Sequence, residues 1–367
     1  MRVLAIGSDR TVFQPNSQSP QRQIAYSAQF DALDIIVFSL LAHKCAPTTL
    51  ATGVHVHPTA SRSRVWYVFD AIRVARRLPR PDVVTAQDPF EAGLAALLIA
   101  RLRGAPLHVQ IHTDFLASAF VRSSFLNRVR VFLAGIVLRR ARRIRVVSNR
   151  IKDSLQATSY KLQAPITVLP IFVDREKFRT ARAGSLMNEF VQFRKKVVVI
   201  ARLEAEKNVR LALDSFAKVA PDDACLVIVG EGRERRALEK RAAHHNISDQ
   251  VFFEGEKDPL PYYALADLVL VPSKYEGYGL VIVEALAAEK PVLSTDVGVA
   301  REAGAIVTTP EKFPAMLASW FEEGMRTGKL LHYPYRDFDE YVAAYTSDIS
   351  ACVGEAARRA SSTERLT

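Results

Sequence analysis

The stretch KYEGYGLVIVEAL, Lys274 to Leu286, carries two carboxylates, Glu276 and Glu284, across a glycine-punctuated turn that leads into an apolar run. Ala266 to Pro272 before it reads as a short buried strand and Leu280 to Ala288 as a helix, so the acids sit at a strand-to-helix junction. In an open parallel sheet, ligands bind outside the carboxyl ends of the strands. A helix start there offers free N–H groups and the positive end of its dipole to an anion. Glu276, in the turn, can face such a crevice. Glu284, about one turn into the helix, can reach its rim while the amides of Gly279 and Leu280 stay open. Carboxylates repel phosphate, so their expected partners are hydroxyls, as on ribose or a sugar. Taken alone, the stretch fits a solvated loop acid and a surface helix acid equally well.

Three more stretches place chemistry at strand ends. VVVIARLEAEKN puts Arg202 and Lys207 just after a strand, ahead of a helix expected over Val209–Val219; two cations there suit a diphosphate. CLVIVGEGRER ends a strand on Gly230-Glu231-Gly232, a turn that lets a ligand approach the backbone closely. VFFEGEKDPLPYY supplies Glu254-Gly255-Glu256 at a third strand end. Isolated Arg and Lys residues after a strand are usually solvated, and it is the order and spacing of the set that makes a shared crevice the better reading.

The elements that must position these residues recur along the whole chain. Val3–Ile6, Ile35–Ser39, Val83–Thr85, Leu107–Ile111 and Ile144–Val147 are strand-like, and Phe90 to Arg103 is a helical stretch closed by Gly104 and Pro106. After the polar segment Asp174 to Lys196 come Val197–Ile200, Leu226–Val229, Val251–Phe253, Leu268–Val271 and Pro291–Ser294. Alternating strands and helices give parallel sheets. With 367 residues, two α/β, Rossmann-like domains are expected: 1–180, 181–336, and a C-terminal helix over 337–367 that packs back toward the first domain and ends in a frayed tail.

Composition sets outer limits. With 49% hydrophobic and 24% charged residues the chain is ordinary globular material. Cys45, Cys225 and Cys352 are odd in number and widely spaced, which favours a reduced compartment and argues against a zinc site. The start of the chain lacks a secretory pattern and no apolar run nears ~18 residues, so a cytoplasmic, at most peripheral, protein is expected. The net charge of +11 is uneven: residues 1–180 hold 26 Lys/Arg against 11 Asp/Glu, so an acidic partner is expected to meet the first half.

On the E-x7-E of EGYGLVIVE, the R-x4-K of ARLEAEK and the GEG turn, in that family's order, the sequence resembles the retaining glycosyltransferases of family 4 over nearly the whole chain. The resemblance implies the GT-B fold, with two Rossmann-like parallel-sheet domains facing each other across a cleft, acceptor side first and nucleotide-sugar donor side second. It implies transfer of a sugar from a nucleotide-diphosphate sugar to a saccharide or lipid-linked saccharide acceptor in cell-surface glycan synthesis. Arg202 and Lys207 would then bind the donor diphosphate, Glu284 the ribose hydroxyls and Glu276 the transferred sugar. Gly277, Gly279, Leu280 and Val281 would offer amides to sugar and phosphate, the turn Gly230, Glu231, Gly232 would border the donor, and Glu254 to Asp258 would line the nucleobase site. In the first half, VQIHTD matches the segment in which a family histidine reaches the donor sugar from the opposite domain, which gives that role to His112, with Asp114 beside it.

The chain departs from the family in its first domain. A Gly-Gly loop usually follows the first strand, whereas here it reads GSDRTVFQPNSQSPQRQIAYS, with Arg10 and Arg22 its only cations. Either Arg22 replaces the lost backbone contacts or this acceptor side of the site is altered. VLPIFVDREKF keeps only Val173-Asp174 and Phe178 of the family's segment. No cofactor is expected, and no metal: Asp337-Phe338-Asp339 has the D-x-D form, but Asp337 with Glu340 is better read as a capping box for a helix on which Phe338, Val342, Tyr345, Ile349 and Val353 recur. The rival readings are a nucleotide-sugar epimerase of the same fold and a non-catalytic nucleotide-sugar-binding homologue. Nucleic acid is not an expected partner, for want of any recognised module. A monomer or weak dimer is expected. Finally, Phe125, Leu126, Val129, Phe132, Leu133, Ile136 and Val137 recur at helical spacing beside Arg122, Arg128, Arg130, Arg139, Arg140, Arg142 and Arg143. Such a stretch suits an anionic membrane surface, and it suits equally a helix packed on its own sheet with solvated arginines.

Overall fold

In a computed structural model the backbone is described for residues 1–364 and the side chains for residues 1–354. The chain divides into two compact units, residues 1–170 together with the chain from Tyr335 on, and residues 171–334. The first junction falls at Pro170/Ile171 rather than 180/181. The reason is that Val173 N donates to Tyr333 Oη at 2.5 Å, and that hydroxyl lies 3.2 Å from Val173 O, which ties this segment to the far end of the second unit.

Unit 1 holds β1 (Arg2–Gly7), α1 (Gln18–Ser27), β2 (Ala32–Val37), β3 (Thr48–Ala51), β4 (Val54–Pro58), α2 (Tyr67–Ala75), β5 (Val83–Ala86), α3 (Glu91–Arg103), β6 (Leu107–Ile111), α4 (Ser118–Ser123), α5 (Phe125–Leu138), β7 (Arg143–Val146), α6 (Asn149–Gln156) and β8 (Ile166–Val168). Its sheet runs β3-β4-β2-β1-β5-β6-β7-β8, parallel except for β3 against β4. Unit 2 holds α7 (Arg175–Arg179), α8 (Leu186–Glu189), β9 (Lys195–Ile200), α9 (Val209–Val219), β10 (Ala224–Val229), α10 (Arg235–His244), β11 (Val251–Gly255), α11 (Leu260–Leu265), β12 (Leu268–Val271), α12 (Leu280–Ala287), β13 (Val292–Thr295), α13 (Ala300–Ala303), β14 (Ile306–Thr308) and α14 (Phe313–Glu323). Its sheet, β11-β10-β9-β12-β13-β14, is parallel throughout. A last helix, α15 (Phe338–Glu364), returns to unit 1.

The strands have the continuous apolar runs of sheets covered on both faces: ALDIIV in β2 and ACLVIV in β10 are buried at every position. In unit 2, Val197, Leu226 and Leu268 pack under Phe216, Leu238, Leu317 and Trp320 of the covering helices. Both sheets are therefore rigid, and their carboxyl edges hold loops in fixed places. The strands without a sequence forecast are β3 and β4, an exposed-to-buried hairpin, and the three-residue, half-buried β8 and β14 at the sheet edges.

Helix α15 is fastened to the sheet of unit 1 by a buried polar chain. Asp348 accepts from Arg143 Nε at 2.5 Å and from His108 Nε2 at 3.0 Å, and His108 Nδ1 lies 2.8 Å from Thr85 Oγ1. Gln110 donates to Thr85 and to Tyr345, and accepts from the fully buried Arg145, which also donates to Tyr341 and stacks on Tyr341 and Tyr345. Burial opposes ionisation of Asp348, but His108, Arg143 and Thr167 outweigh it and its pKa lies at about 2. Burial also depresses the pKa of His108. Its Nε2 faces the Asp348 carboxylate, and Arg143 supplies a second, permanent opposing charge. This corrects the grouping of Arg143 with the surface cations. At the head of the helix, Glu340 N donates to Asp337 Oδ1 at 2.8 Å, a cap geometry. The frayed tail expected at the C-terminus lies outside the described residues.

Candidate functional site

In unit 2 the loops after β9, β10, β12 and β13 all emerge at one edge of the sheet, since the strands are parallel. Lys207 Nζ donates to Glu276 Oε1 at 2.6 Å, and Ser273 Oγ donates to the same oxygen at 2.8 Å. Lys207 and Glu276 are both largely buried, at 20% and 16% side-chain exposure. The pair is therefore short and charge-assisted, yet open enough for an arriving anion to compete for the ammonium. Two bonds fix the loop that carries Lys207 to the loop that carries Glu276: Lys274 N donates to Glu206 O at 2.8 Å, and Asn208 Nδ2 to Pro272 O at 3.2 Å.

Glycine 279 stands at the head of α12 with φ of +89°, a left-handed conformation that glycine adopts without strain. The first intrahelical bond is Ile282 N to Gly279 O at 2.9 Å, so the amides of Leu280 and Val281 open the helix ahead of it, beside Glu276. Gly279, Leu280 and Val281 thus share one helix head, with Gly277 in the turn two residues before its cap. Glu284 lies deeper. Tyr263 Oη donates to its Oε2 at 2.5 Å, and burial raises its pKa against the lowering effects of Tyr263 and Lys177. Arg202 is 73% exposed and pairs with Glu206 at 3.1 Å, which leaves its guanidinium accessible to solvent.

The GEG turn has a different close neighbour from the one expected. A Cβ on Gly230, at φ of +139°, would stand 1.9 Å from Ala201 O, and one on Gly232 would stand 2.4 Å from Leu203 O. Leu203 N donates to Glu231 O at 2.8 Å and Glu234 N to Leu203 O at 2.9 Å. What comes close to this backbone is thus the loop that carries Arg202, and the Glu231 side chain turns to Arg235. The carboxylate of Glu254 accepts from Tyr262 at 2.7 Å and from Lys257 at 2.5 Å; burial raises its pKa, but these two partners outweigh that and hold it below the ordinary value. Asp258 caps α11 through Leu260 N at 3.1 Å. Glu254 is thus engaged within the protein, while Asp258 stays exposed.

In unit 1, His112 follows β6 with an exposed side chain, while Asp114 is buried and its pKa is raised by that burial, with Arg150 as the opposing cation. The loop after β1 is organised around an acid absent from the sequence reading. Asp9 accepts from Thr11 N at 3.0 Å, Thr11 Oγ1 at 2.5 Å and Ser19 Oγ at 2.8 Å, and Arg22 lies 3.6 Å away. Burial opposes ionisation of Asp9, yet these bonds keep its pKa below the ordinary value. A carboxylate thus sits in this loop with Arg22 beside it, and Arg10 stays exposed.

Sequence reasoning also passed over Ser273 and Tyr263, which hold Glu276 and Glu284, because a lone serine or tyrosine near a strand has no periodicity to mark it. Among the described residues no group of three or more His, Cys, Asp or Glu is placed to hold a metal ion, and no helix is long and apolar enough to cross a membrane.

Two doubly wound parallel-sheet units, one with cations, carboxylates and a helix head at a single strand edge, define a nucleotide-handling α/β enzyme class. The family model for glycosyl transferases group 1 matches residues 188–305, and that for glycosyltransferase family 4 matches residues 33–177. The chain belongs to family 4 of the glycosyltransferases. It is similar to the alpha-D-kanosaminyltransferase of Streptomyces kanamyceticus, 26% identical over 251 residues, 65% of either chain. It is also similar to the alpha-monoglucosyldiacylglycerol synthase of Streptococcus pneumoniae, 26% identical over 249 residues, 61% of this chain and 54% of that protein. The match thus spans less than two thirds of the length of these relatives. The Anabaena protein HepE, solved in complex with UDP-glucose, shares the fold, with a TM-score of 0.67 at 19% identity over 99% of this chain and 100% of its own.

Proposed function

We propose that the chain moves a sugar, with retention at the anomeric carbon, from a nucleotide-diphosphate sugar to a saccharide or lipid-linked saccharide in cell-surface glycan synthesis. The observation that carries this is the Lys207–Glu276 pair beside the open head of α12. A diphosphate arriving there exchanges its charge for that of Glu276 on the Lys207 ammonium and takes N–H donors from Leu280 and Val281. Glu276, released but still held by Ser273, is left to accept from sugar hydroxyls, and Glu284 from those of ribose. HepE with UDP-glucose bound supports the donor class. Two relatives are named for alpha products, which an α-linked donor gives by retention.

In the step itself, the bond from the anomeric carbon to the diphosphate oxygen breaks as the acceptor oxygen bonds to the same face. The acceptor proton passes to the departing diphosphate. Arg202 and Lys207 stabilise the charge that develops on that leaving group, a role with no need of a metal. His112 acts on the transferred sugar, and Arg10, Arg22 and Asp114 belong to the acceptor side. Attachment to an anionic membrane, on its cytoplasmic face, belongs to the same reading. Phe125, Leu126, Val129, Phe132 and Ile136 of α5 are exposed, while its buried face is Ala134, Val137 and Leu138. The stripe thus divides, with Val137 packed inward and those five open to solvent. The diacylglycerol in one relative's name is consistent with an acceptor at a membrane.

The test is a panel of UDP-, GDP- and ADP-sugars scored by thermal shift and then by product analysis, with EDTA present and absent. Transfer with retained configuration that survives EDTA is expected. Isomerised donor in the absence of acceptor would mean an epimerase, and loss of transfer that magnesium restores would overturn the metal-free reading.

A further inference from the structure

The sheet of unit 1 has a second chemical feature, at its opposite edge. At the amino ends of β6, β7 and β8 lies a cavity of about 580 Å³, bordered by the last turn of α3, the segments that lead into β6 and β8, and the residues after α5. Its lining includes Arg101, Arg139, Arg140 and Arg142 and no carboxylate. Arg139 is engaged, with Nε donating to Tyr160 O at 3.1 Å and the guanidinium over the Tyr160 ring. Arg101, Arg140 and Arg142 make no ion pair among the described residues. Since β6 starts in this cavity and His112 follows its other end, the cavity stands roughly 16 Å along the strand from the acceptor-side residues. It is a separate site.

Guanidiniums that share one cavity without an acid repel each other, so the arrangement is relieved by a multivalent anion; planar forks that donate in pairs favour phosphate oxygens. What adjoins the cavity narrows the source of that phosphate. On α5, Phe132 and Ile136 are four residues apart on one helix face, and Arg139 caps the C-terminus three residues after Ile136, with Arg140 in the turn beyond, so the chain runs from apolar to cationic into the cavity. Phe132 is 70% exposed and Ile136 37%. Apolar side chains open to solvent next to a four-arginine cavity match an amphiphile with a phosphate at one end.

We propose that this cavity is a headgroup site for an anionic phospholipid, with the phosphodiester among Arg101, Arg140 and Arg142 and the acyl chains along Phe132 and Ile136. The proposal rests on the membrane-surface reading above and adds a defined site to it. Diffuse attraction of a basic surface to an anionic bilayer counts only total charge, whereas a headgroup site depends on where the charge is.

The test is co-sedimentation of the full chain with vesicles of phosphatidylglycerol and phosphatidylcholine, and of phosphatidylcholine alone. Three proteins are compared: the wild type, R101Q/R140Q/R142Q, and the charge-matched K218Q/R236Q/K312Q, whose exposed cations lie on unit 2. Melting curves confirm that each is folded. The wild type and the charge-matched control should bind the anionic vesicles alike, and the cavity variant about tenfold or more weakly, at low salt. Phe132→Ser with Ile136→Ser should weaken binding while leaving the cavity cations in place. Equal loss in both triple variants, or no loss in the cavity variant, would leave the membrane reading standing and overturn the site. No sedimentation of the wild type would overturn both. Stabilisation by inorganic pyrophosphate that needs Arg101, Arg140 and Arg142, without vesicle binding, would assign the cavity to a soluble phosphate instead of a lipid.

Discussion

Both units carry a parallel sheet of apolar strands, and they place their charged residues at different depths. In unit 2 the charges stand on loops at the carboxyl edge, and the central pair, Lys207 with Glu276, is partly open to water. In unit 1 the densest set, Arg143, Arg145, His108 and Asp348, lies within and against the sheet beneath α15, with Arg145 fully buried. Depth decides what each set can do. A partly solvated pair can exchange partners when an anion arrives, since water and ligand share its desolvation. A buried pair loses several kcal/mol when one member goes, because the other is left uncompensated, and so it serves to fasten a helix.

The sharpest way to break this contrast is Asp348→Ala. It strands Arg143, and the expected cost is about 3–5 kcal/mol of stability in chemical denaturation, with α15 loosened first. Asp348 carries its own pH signature. Its folded pKa, about 2, lies below the unfolded value of roughly 3.9, so its contribution is full above about pH 4 and fades as pH falls through 2. The gap between wild type and Asp348→Ala should shrink over that window. A gap that is constant from pH 6 to pH 2 would show that Asp348 is not the fastening group.

Lys207→Ala should do the reverse, with a loss of about 2–4 kcal/mol in the barrier to transfer, read as kcat, and little change in melting temperature. A folded variant with wild-type turnover would remove the diphosphate assignment. A smaller effect is expected from Tyr263→Phe, which leaves Glu284 without its hydroxyl donor. Donor KM should rise by about five- to tenfold, near 1 kcal/mol, with kcat less affected. An unchanged KM would separate Glu284 from donor binding. Smallest of all, Arg22→Gln breaks only an exposed contact with Asp9 at 3.6 Å and should cost less than about 0.5 kcal/mol of stability. A larger loss would mean that unit 1 also relies on its edge charges.

Much of the architecture was legible because it depends on local pattern. The buried strands showed as apolar runs, α9 fell on Val209–Val219 as its spacing implied, and E-x7-E marked the turn into α12. The strands β3, β8 and β14 were not, since three or four exposed or half-buried residues carry little periodicity, and β4 was passed over although VHVHP alternates buried and half-buried positions. The long run from Phe120 to Arg145 is broken at Ser124, whose extended backbone and Oγ cap on Asn127 N start a new helix, so Arg122 stands on a different helix from Arg128 and Arg130.

The sequence by itself determined that two parallel-sheet units would form and that cations and carboxylates would gather at the strand ends of the second, because strand and helix periods and loop positions are properties of neighbouring residues. Only the tertiary structure decided which charges face a ligand. Arg143 and Arg140 are three residues apart in one basic run, yet Arg143 meets Asp348 from 205 positions away while Arg140 lines a cavity with no acid. Likewise, the sequence shows that GEG is free of side chains at two positions, but only the fold shows that the loop of Arg202 packs where their Cβ atoms would stand. Burial and pairing of charge depend on contacts between distant segments, and those segments meet only once the sheets have formed.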